Sequence, residues 1–212
     1  MENRFLCLEG LDGCGKTTQL ERLHKYLGDL NQEVVRVREP GGTTLGEGLR
    51  QLLLSPDQPP VTSISELLMF FAARAQLVEE VIRPALRAGK WVLADRFVWS
   101  TFAYQGYGRG LSLEVIEKLA NLACGTTLPL LTLVLSLPND ERLSRLQKGR
   151  KQSDRLEQQN DEFFSRVSLG FTELAEQHPT TIKIVDACGS EEDVWTKVKM
   201  QFSAIYKEFS PT

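Results

Sequence analysis

The sequence predicts an α/β fold of three layers, a five-stranded parallel sheet with helices on both faces and one lid segment. Two observations carry this. Short apolar runs alternate with stretches of helical periodicity from one end of the 212 residues to the other. The first apolar run leads directly into EGLDGCGKTT, residues 9 to 18, a phosphate-binding loop that joins a strand to a helix. The fold is therefore expected to be of the P-loop NTPase type.

Phe5 to Glu9 reads as a buried strand. Lys16 to Leu27 follows as a helix, with Leu20, Leu23 and Leu27 on one face and Gly28 as its stop. Val34 to Val37 is a second strand and Leu45 to Leu54 a helix. Ser65 to Leu86 is a long helical stretch with a distortion expected at Pro84. Trp91 to Ala94 is a third strand, ending at Asp95. Then come a helix (Ser112 to Ala123), a strand (Leu131 to Leu137) and a helix (Asp140 to Gln147). Glu157 to Gln177 is a helix, Thr181 to Val185 a fifth strand and Glu191 to Phe209 a final helix. No repeat or linker divides the chain, so residues 1–212 are expected to be one domain. Ligands of such sheets collect at the carboxyl ends of the strands. That groups residues 10–18, 38–43 and 95–105.

Composition excludes several functions. The net charge of −3 argues against a general nucleic-acid-binding surface, so any cationic site must be local. The longest apolar candidate, Leu128 to Pro138, is eleven residues long and too short to span a bilayer. The N-terminus lacks a signal-peptide layout. Cys7, Cys14, Cys124 and Cys188 form no CxxC pair, which suits reduced thiols and a cytoplasmic location. His24 and His178 are too few and too isolated for a zinc site.

Gly10-Leu11-Asp12-Gly13-Cys14-Gly15-Lys16-Thr17 satisfies GxxxxGK[ST]. Its glycines let backbone N–H groups converge on phosphate oxygens, and the helix start adds positive potential. Lys16 should reach the outer phosphates and Thr17 should ligate Mg²⁺. Asp12 is an acid inside an anion-binding loop. Either its carboxylate points elsewhere, for example at a sugar hydroxyl, or it bonds its own turn. Cys14 reads as a small filler, with a phosphate-site thiolate as the alternative. A GTPase needs a base-reading NKxD segment, which the chain lacks, and the DxxG at Asp186–Gly189 follows the last strand rather than an early one.

Asp95 can hold the hydration shell of Mg²⁺ at the end of the third strand. Arg96 beside it suits a second phosphate. Arg38 to Thr43 is a tight Pro/Gly loop. Phe70 and Arg74 share a helix face, where they could stack and bond a flat base. Spacing alone favours Phe70 as core and Arg74 as a surface charge. Residues 142 to 155 carry six basic side chains against the single acid Asp154. That run is either a solvated face or a lid, about residues 142–156, that closes on ATP and excludes water.

Together, EGLDGCGKTT, REPGGTTLGEGLR, LLMFFAARAQLVEEVIRPAL, ADRFVWSTFAYQGYGRG and SDRLEQ closely resemble thymidylate kinase, in the family's order, over residues 6 to about 160. Beyond about 165 the match is one of pattern. The resemblance implies ATP + dTMP → ADP + dTDP with Mg²⁺. It implies that Gly10 to Thr18, with Lys16, hold the ATP phosphates and that Thr17 and Asp95 serve the metal. Asp12 resembles the acid that bonds the deoxyribose 3′-hydroxyl. Arg50 and Arg96 resemble the clamps on the dTMP phosphate, in a pocket shaped by Arg38, Glu39 and Pro40. Phe70 resembles the thymine platform, Arg74 the donor to its edge, and Thr101 and Gln105 further base contacts. Tyr104 resembles the residue that crowds the 2′ position. Gly13 together with Arg150 resembles the bacterial type, in which the lid supplies the catalytic cation and the enzyme is a homodimer. Two features depart from the family. Leu128-Pro129-Leu130-Leu131 lacks the usual Pro-Asp, and Phe97, Val98 and Trp99 are bulkier than is common. The alternatives are a kinase for another nucleoside monophosphate and a P-loop nucleotide switch that transfers nothing.

Overall fold

The computed structural model describes residues 3–57, 59–148 and 154–206. Five strands, β1 (Phe5–Glu9), β2 (Val34–Arg38), β3 (Trp91–Asp95), β4 (Leu131–Ser136) and β5 (Ile182–Asp186), form one sheet in the order β2-β3-β1-β4-β5. All four pairings are parallel. The chain leaves β1, passes over β3 to build β2, and later returns to the other side for β4. The crevice at the carboxyl end of β1 is therefore the switch point, where such sheets bind ligands.

Strand β1 shows why the fold needs both faces covered. Its five residues are all buried. Phe5 and Cys7 face a core with Val92, Ala94, Leu67 and Phe71, while Leu6 and Leu8 face a second core with Leu20, Leu133 and Phe202. The two-residue period of a strand sends alternate apolar side chains into opposite layers. The helices supply the matching stripes. α1 (Lys16–Asp29) and α9 (Glu191–Tyr206) cover one face. α3 (Ser63–Leu77) and α6 (Leu113–Cys124) cover the other.

The expected elements are all present, with corrections at their ends. Gly28 does not stop α1; the helix runs to Asp29, and the Leu30 N–H bonds back to Tyr26 and Leu27. The stretch expected as one helix over 65–86 is three pieces. α3 gives way to a π turn, Val78–Ile82, and then to α4 (Arg83–Arg87). Pro84 lacks an N–H, and the wider turn just before it absorbs the missing bond. The helix expected from 157 starts later, as α8 (Asp161–Gln177), where the Asn160 side chain accepts from the Phe163 N–H. α2 (Thr44–Leu54) and α7 (Asn139–Lys148) lie close to their expected bounds.

One helical segment was not expected. Residues 98–108 form α5 (Val98–Thr101) continued by a π segment, Phe102–Gly108. VWSTFAYQGYG is rich in β-branched, aromatic and glycine residues, which are weak helix formers. A long-range cap compensates. The buried Glu9 carboxylate accepts from the Phe97 N–H at 2.9 Å and the Ser100 N–H at 3.0 Å. It serves the orphan donors of a helix start from a residue 91 positions away in the chain.

Candidate active site

Register brings the site together. Arg38 pairs with Asp95, and Asp95 pairs with Leu8, so the carboxyl ends of β2, β3 and β1 are level. Above them opens a cavity of about 680 Å³. Its walls include Asp12, Gly13, Gly15, Lys16, Thr17 and Thr18 from the loop after β1. They also include Glu39, Pro40 and Arg50 from the β2 side, Phe70 and Arg74 from α3, and Asp95, Arg96, Thr101, Tyr104 and Gln105 from the β3 side.

The phosphate loop is built by close approach. Gly10 has φ +126°, and a Cβ there would lie 2.4 Å from the Leu135 carbonyl oxygen of β4. Gly10, Leu11 and Cys14 border a small hollow behind the loop instead of the large cavity. Cys14 is buried among Leu20 and Leu135, as a small filler would be. The Lys16 ammonium donates to the Gly10 and Leu11 carbonyls, both at 3.1 Å, and lies 3.7 Å from Asp12.

Asp12 does not bond its own turn. The Arg96 guanidinium donates to its carboxylate at 2.7 Å and to the Gly10 carbonyl at 2.9 Å. Burial opposes ionisation of Asp12, but the charges of Arg96 and Lys16 outweigh it and hold the carboxyl well below its usual range. Arg96 has a left-handed backbone, φ +68°, and stacks over the Tyr104 ring at 5.1 Å. The Tyr104 hydroxyl is buried and has no partner among the described residues.

Arg74 is not a surface charge. It is 1% exposed and bound by Glu39, with Nε at 2.8 Å and Nη2 at 2.6 Å from Glu39 Oε2. Nη2 also donates to the Phe97 carbonyl at 3.2 Å and the Thr101 hydroxyl at 3.0 Å. Nη1 is buried with no partner among the described residues, an unsatisfied donor on a side chain that lines the cavity. Phe70 packs with Leu53 and Leu156 and also lines the cavity, so it is both core and wall. Arg50, half-buried, donates to the Pro40 carbonyl at 2.8 Å. Burial, and then the neighbouring Arg38, lower its affinity for the proton.

Thr17 and Asp95 fit a hard cation. Both line the cavity, and no described hydrogen bond occupies the Asp95 carboxylate. Mg²⁺ at phosphate sites takes few protein ligands and completes its shell with water and phosphate oxygens. Among the described residues no cluster of three or more His, Cys, Asp or Glu suggests a different metal site. Arg150, the expected lid cation, lies outside the described residues. Of the described residues in or beside the segment expected as a lid, Arg145, Leu146, Asp154 and Leu156 line the cavity.

Three buried acids escaped the sequence reading or were read only in part. Glu9 caps the helix after Arg96, Glu39 holds Arg74, and Glu66 lies beside Gln105. Glu9 and Glu66 share a signal, an acid inside an apolar stretch, FLCLE and SISELLMFF, whereas Glu39 lies between Arg38 and Pro40 and carries none. That signal marks burial without naming a partner.

A family model described as thymidylate kinase matches residues 8–198. The chain belongs to the thymidylate kinase family. The match reaches past residue 165, so the tail is part of the same family pattern. The thymidylate kinases of Syntrophotalea carbinolica and Alkalilimnicola ehrlichii are each 44% identical. The first match covers 92% of both chains, the second 92% of this chain and 90% of the relative. A crystal structure of thymidylate kinase from Ehrlichia chaffeensis superposes with a TM-score of 0.77 at 33% identity, covering 93% of this chain and 97% of that one. As a thymidylate kinase family member, the chain is a nucleoside monophosphate kinase, a phosphotransferase. It shares the P-loop fold of its relatives.

Proposed function

We propose that this thymidylate kinase family member transfers the γ-phosphoryl group of ATP to dTMP, giving ADP and dTDP. One observation carries the reading. A single cavity is lined both by the phosphate loop with Lys16 and by a second set of groups, Arg50, Phe70, Arg74 and Arg96, suited to an acceptor nucleotide. A nucleotide switch that transfers nothing has no use for that second set.

In this mechanism the loop backbone and Lys16 bind the ATP phosphates. Arg50 and Arg96 fix the acceptor phosphate so that one of its oxygens attacks the γ-phosphorus in line as the bond to the ADP oxygen breaks. Catalysis is mostly positioning and charge stabilisation. Mg²⁺, held through Thr17 and Asp95, would neutralise charge on the ATP phosphates. Asp12, already tied to Arg96, accepts from the deoxyribose 3′-hydroxyl. Phe70 stacks the base, and Arg74 Nη1 donates to its carbonyl edge. Thr101 helps hold Arg74 in addition to lining the pocket, and Tyr104 crowds the 2′ position. Arg150 serves as the lid cation.

The working unit is proposed to be a cytoplasmic homodimer without nucleic-acid or membrane partners. Exposed Ile64 and Leu68, one turn apart on α3, support a pairing face, as do Leu45 and Leu52 on α2. The free cysteines suit a reducing compartment. Among the described residues no helix is long and apolar enough to cross a membrane.

A coupled ADP-release assay over a panel of nucleoside monophosphates tests the reading. ADP release driven by dTMP is expected. Equal turnover of dUMP, dCMP or GMP would remove the dTMP assignment. Nucleotide binding without ADP release would favour the switch.

A further inference from the structure

Glu66 stands in the first turn of α3, where an acid is ordinarily a solvated partner of the helix dipole. Here it is fully buried, and three side chains converge on it. Its Oε1 accepts from Gln105 Nε2 at 2.8 Å and from Arg109 Nε at 3.3 Å. Its Oε2 accepts from Arg109 Nη2 at 3.3 Å and from Arg155 Nη2 at 2.6 Å. Arg155 is itself pinned, with its backbone N–H on the Leu54 carbonyl and its Nε on the Leu53 carbonyl. Burial opposes the charge, yet the hydrogen bonds from Gln105 and Arg109 keep the carboxyl below its usual range, so it stays ionised.

An ionised carboxylate accepts and never donates. The nitrogen of the Gln105 amide must therefore face Glu66. Gln105 is 1% exposed and lines the cavity, and no described donor occupies its oxygen. Without Glu66 the amide could turn over and present either atom.

We propose that Glu66 is a specificity-determining positioning residue: it fixes the Gln105 amide with its nitrogen toward Glu66 and its oxygen toward the acceptor base. The site then offers an acceptor from Gln105 beside a donor from Arg74 Nη1. A pyrimidine with N3–H and a C4 carbonyl, thymine or uracil, matches that pair. Cytosine, with a bare N3 and a C4 amino group, opposes both. This rests on the dTMP reading above and explains how the base edge is chosen rather than which residues touch it.

The test is Glu66→Gln, measured as kcat/KM for dTMP and for dCMP. The two arginines retain the new amide's oxygen, so its nitrogen faces Gln105. Gln105 then turns and presents its own nitrogen to the base. The dTMP-to-dCMP ratio should fall at least about tenfold, because a site reading a hydrogen-bonding group discriminates through it. In a Gln105→Leu background the same change should leave the ratio unmoved. A parallel loss on both substrates with the ratio held would make Glu66 merely structural and overturn the proposal.

Should Glu66→Gln fail to fold, wild-type protein answers the question. The Gln105 side-chain ¹⁵N resonance, assigned by its absence in Gln105→Leu, should barely move when dTMP binds. A large shift would put the nitrogen against the ligand and overturn the proposal. Wild-type protein inactive on dTMP would defeat the functional reading itself, a separate outcome.

Discussion

Arg96 and Asp12 form an ion pair at 2.7 Å that joins two loops 84 residues apart in the chain. It resolves the oddity of an acid inside a phosphate loop. Asp12 does not face the anion site alone; its charge is matched by an arginine that also grips the loop carbonyl of Gly10. The acid therefore ties the segment after β3 to the loop after β1.

Replacing Asp12 by Asn removes a charge-assisted acceptor while keeping the shape. The preference for dTMP over its 3′-deoxy analogue should shrink by about tenfold or more, since hydrogen bonds to charged groups contribute ~1.5–3 kcal/mol. Competition kinetics with the two nucleotides measure it. An unchanged preference would mean that Asp12 serves only Arg96.

Lys16→Ala removes the ammonium nearest the loop carbonyls. Phosphoryl transfer should fall by at least about 10²-fold, the scale for losing one preorganised group that meets developing charge. Single-turnover ADP formation is the readout. Activity within a few-fold of wild type would refute the role.

Glu39 predicts a pH dependence of stability. Burial pushes its carboxyl from the ordinary 4.5 up to about 7, against the pull of Arg74. The folded state then binds more protons than the unfolded state between about pH 4.5 and 7. Its contribution is thus complete below the unfolded value and is lost as pH rises through the folded one. Thermal unfolding should show Tm declining across that window, and Glu39→Gln should remove this component. A Tm that rises steadily over pH 4.5–7, unaltered by the substitution, would contradict it.

Gly13 is held by more than chain flexibility. Its φ is +86°, and a Cβ would lie 2.8 Å from Leu146 Cγ of α7. Gly13→Ala should therefore strain the loop by ~1–2 kcal/mol for the left-handed backbone alone. The expected result is an ATP KM raised about tenfold with the dTMP KM little changed. Equal effects on both substrates would point to general damage instead.

Much of this site was legible in the sequence. The phosphate loop could be read because its chemistry is local: glycines, Lys16 and Thr17 act within eight residues between a strand and a helix. The grouping of residues 10–18, 38–43 and 95–105 followed from the rule for parallel sheets, and register puts Leu8, Arg38 and Asp95 level. Arg74 shows where local reading stopped. Spacing placed it on a face with Phe70 and suggested solvent. Its burial depends on Glu39, 35 residues away, and helical periodicity carries no information about such a partner.

The segment after Arg96 shows the same limit in the backbone. Its composition disfavours a helix, and it is helical because Glu9 supplies a cap through the sheet. By itself, the sequence determined the five strands and the other helices between them, the two-faced core and the loop that grips phosphate, because periodicity and glycine geometry act over a few residues. Only the tertiary structure decided how the buried charges pair: Glu9 with the 97–100 turn, Asp12 with Arg96, Glu39 with Arg74, and Glu66 with Gln105. A charge leaves water only where a partner satisfies it, and that partner is chosen by the packing of the whole sheet rather than by its neighbours in the chain.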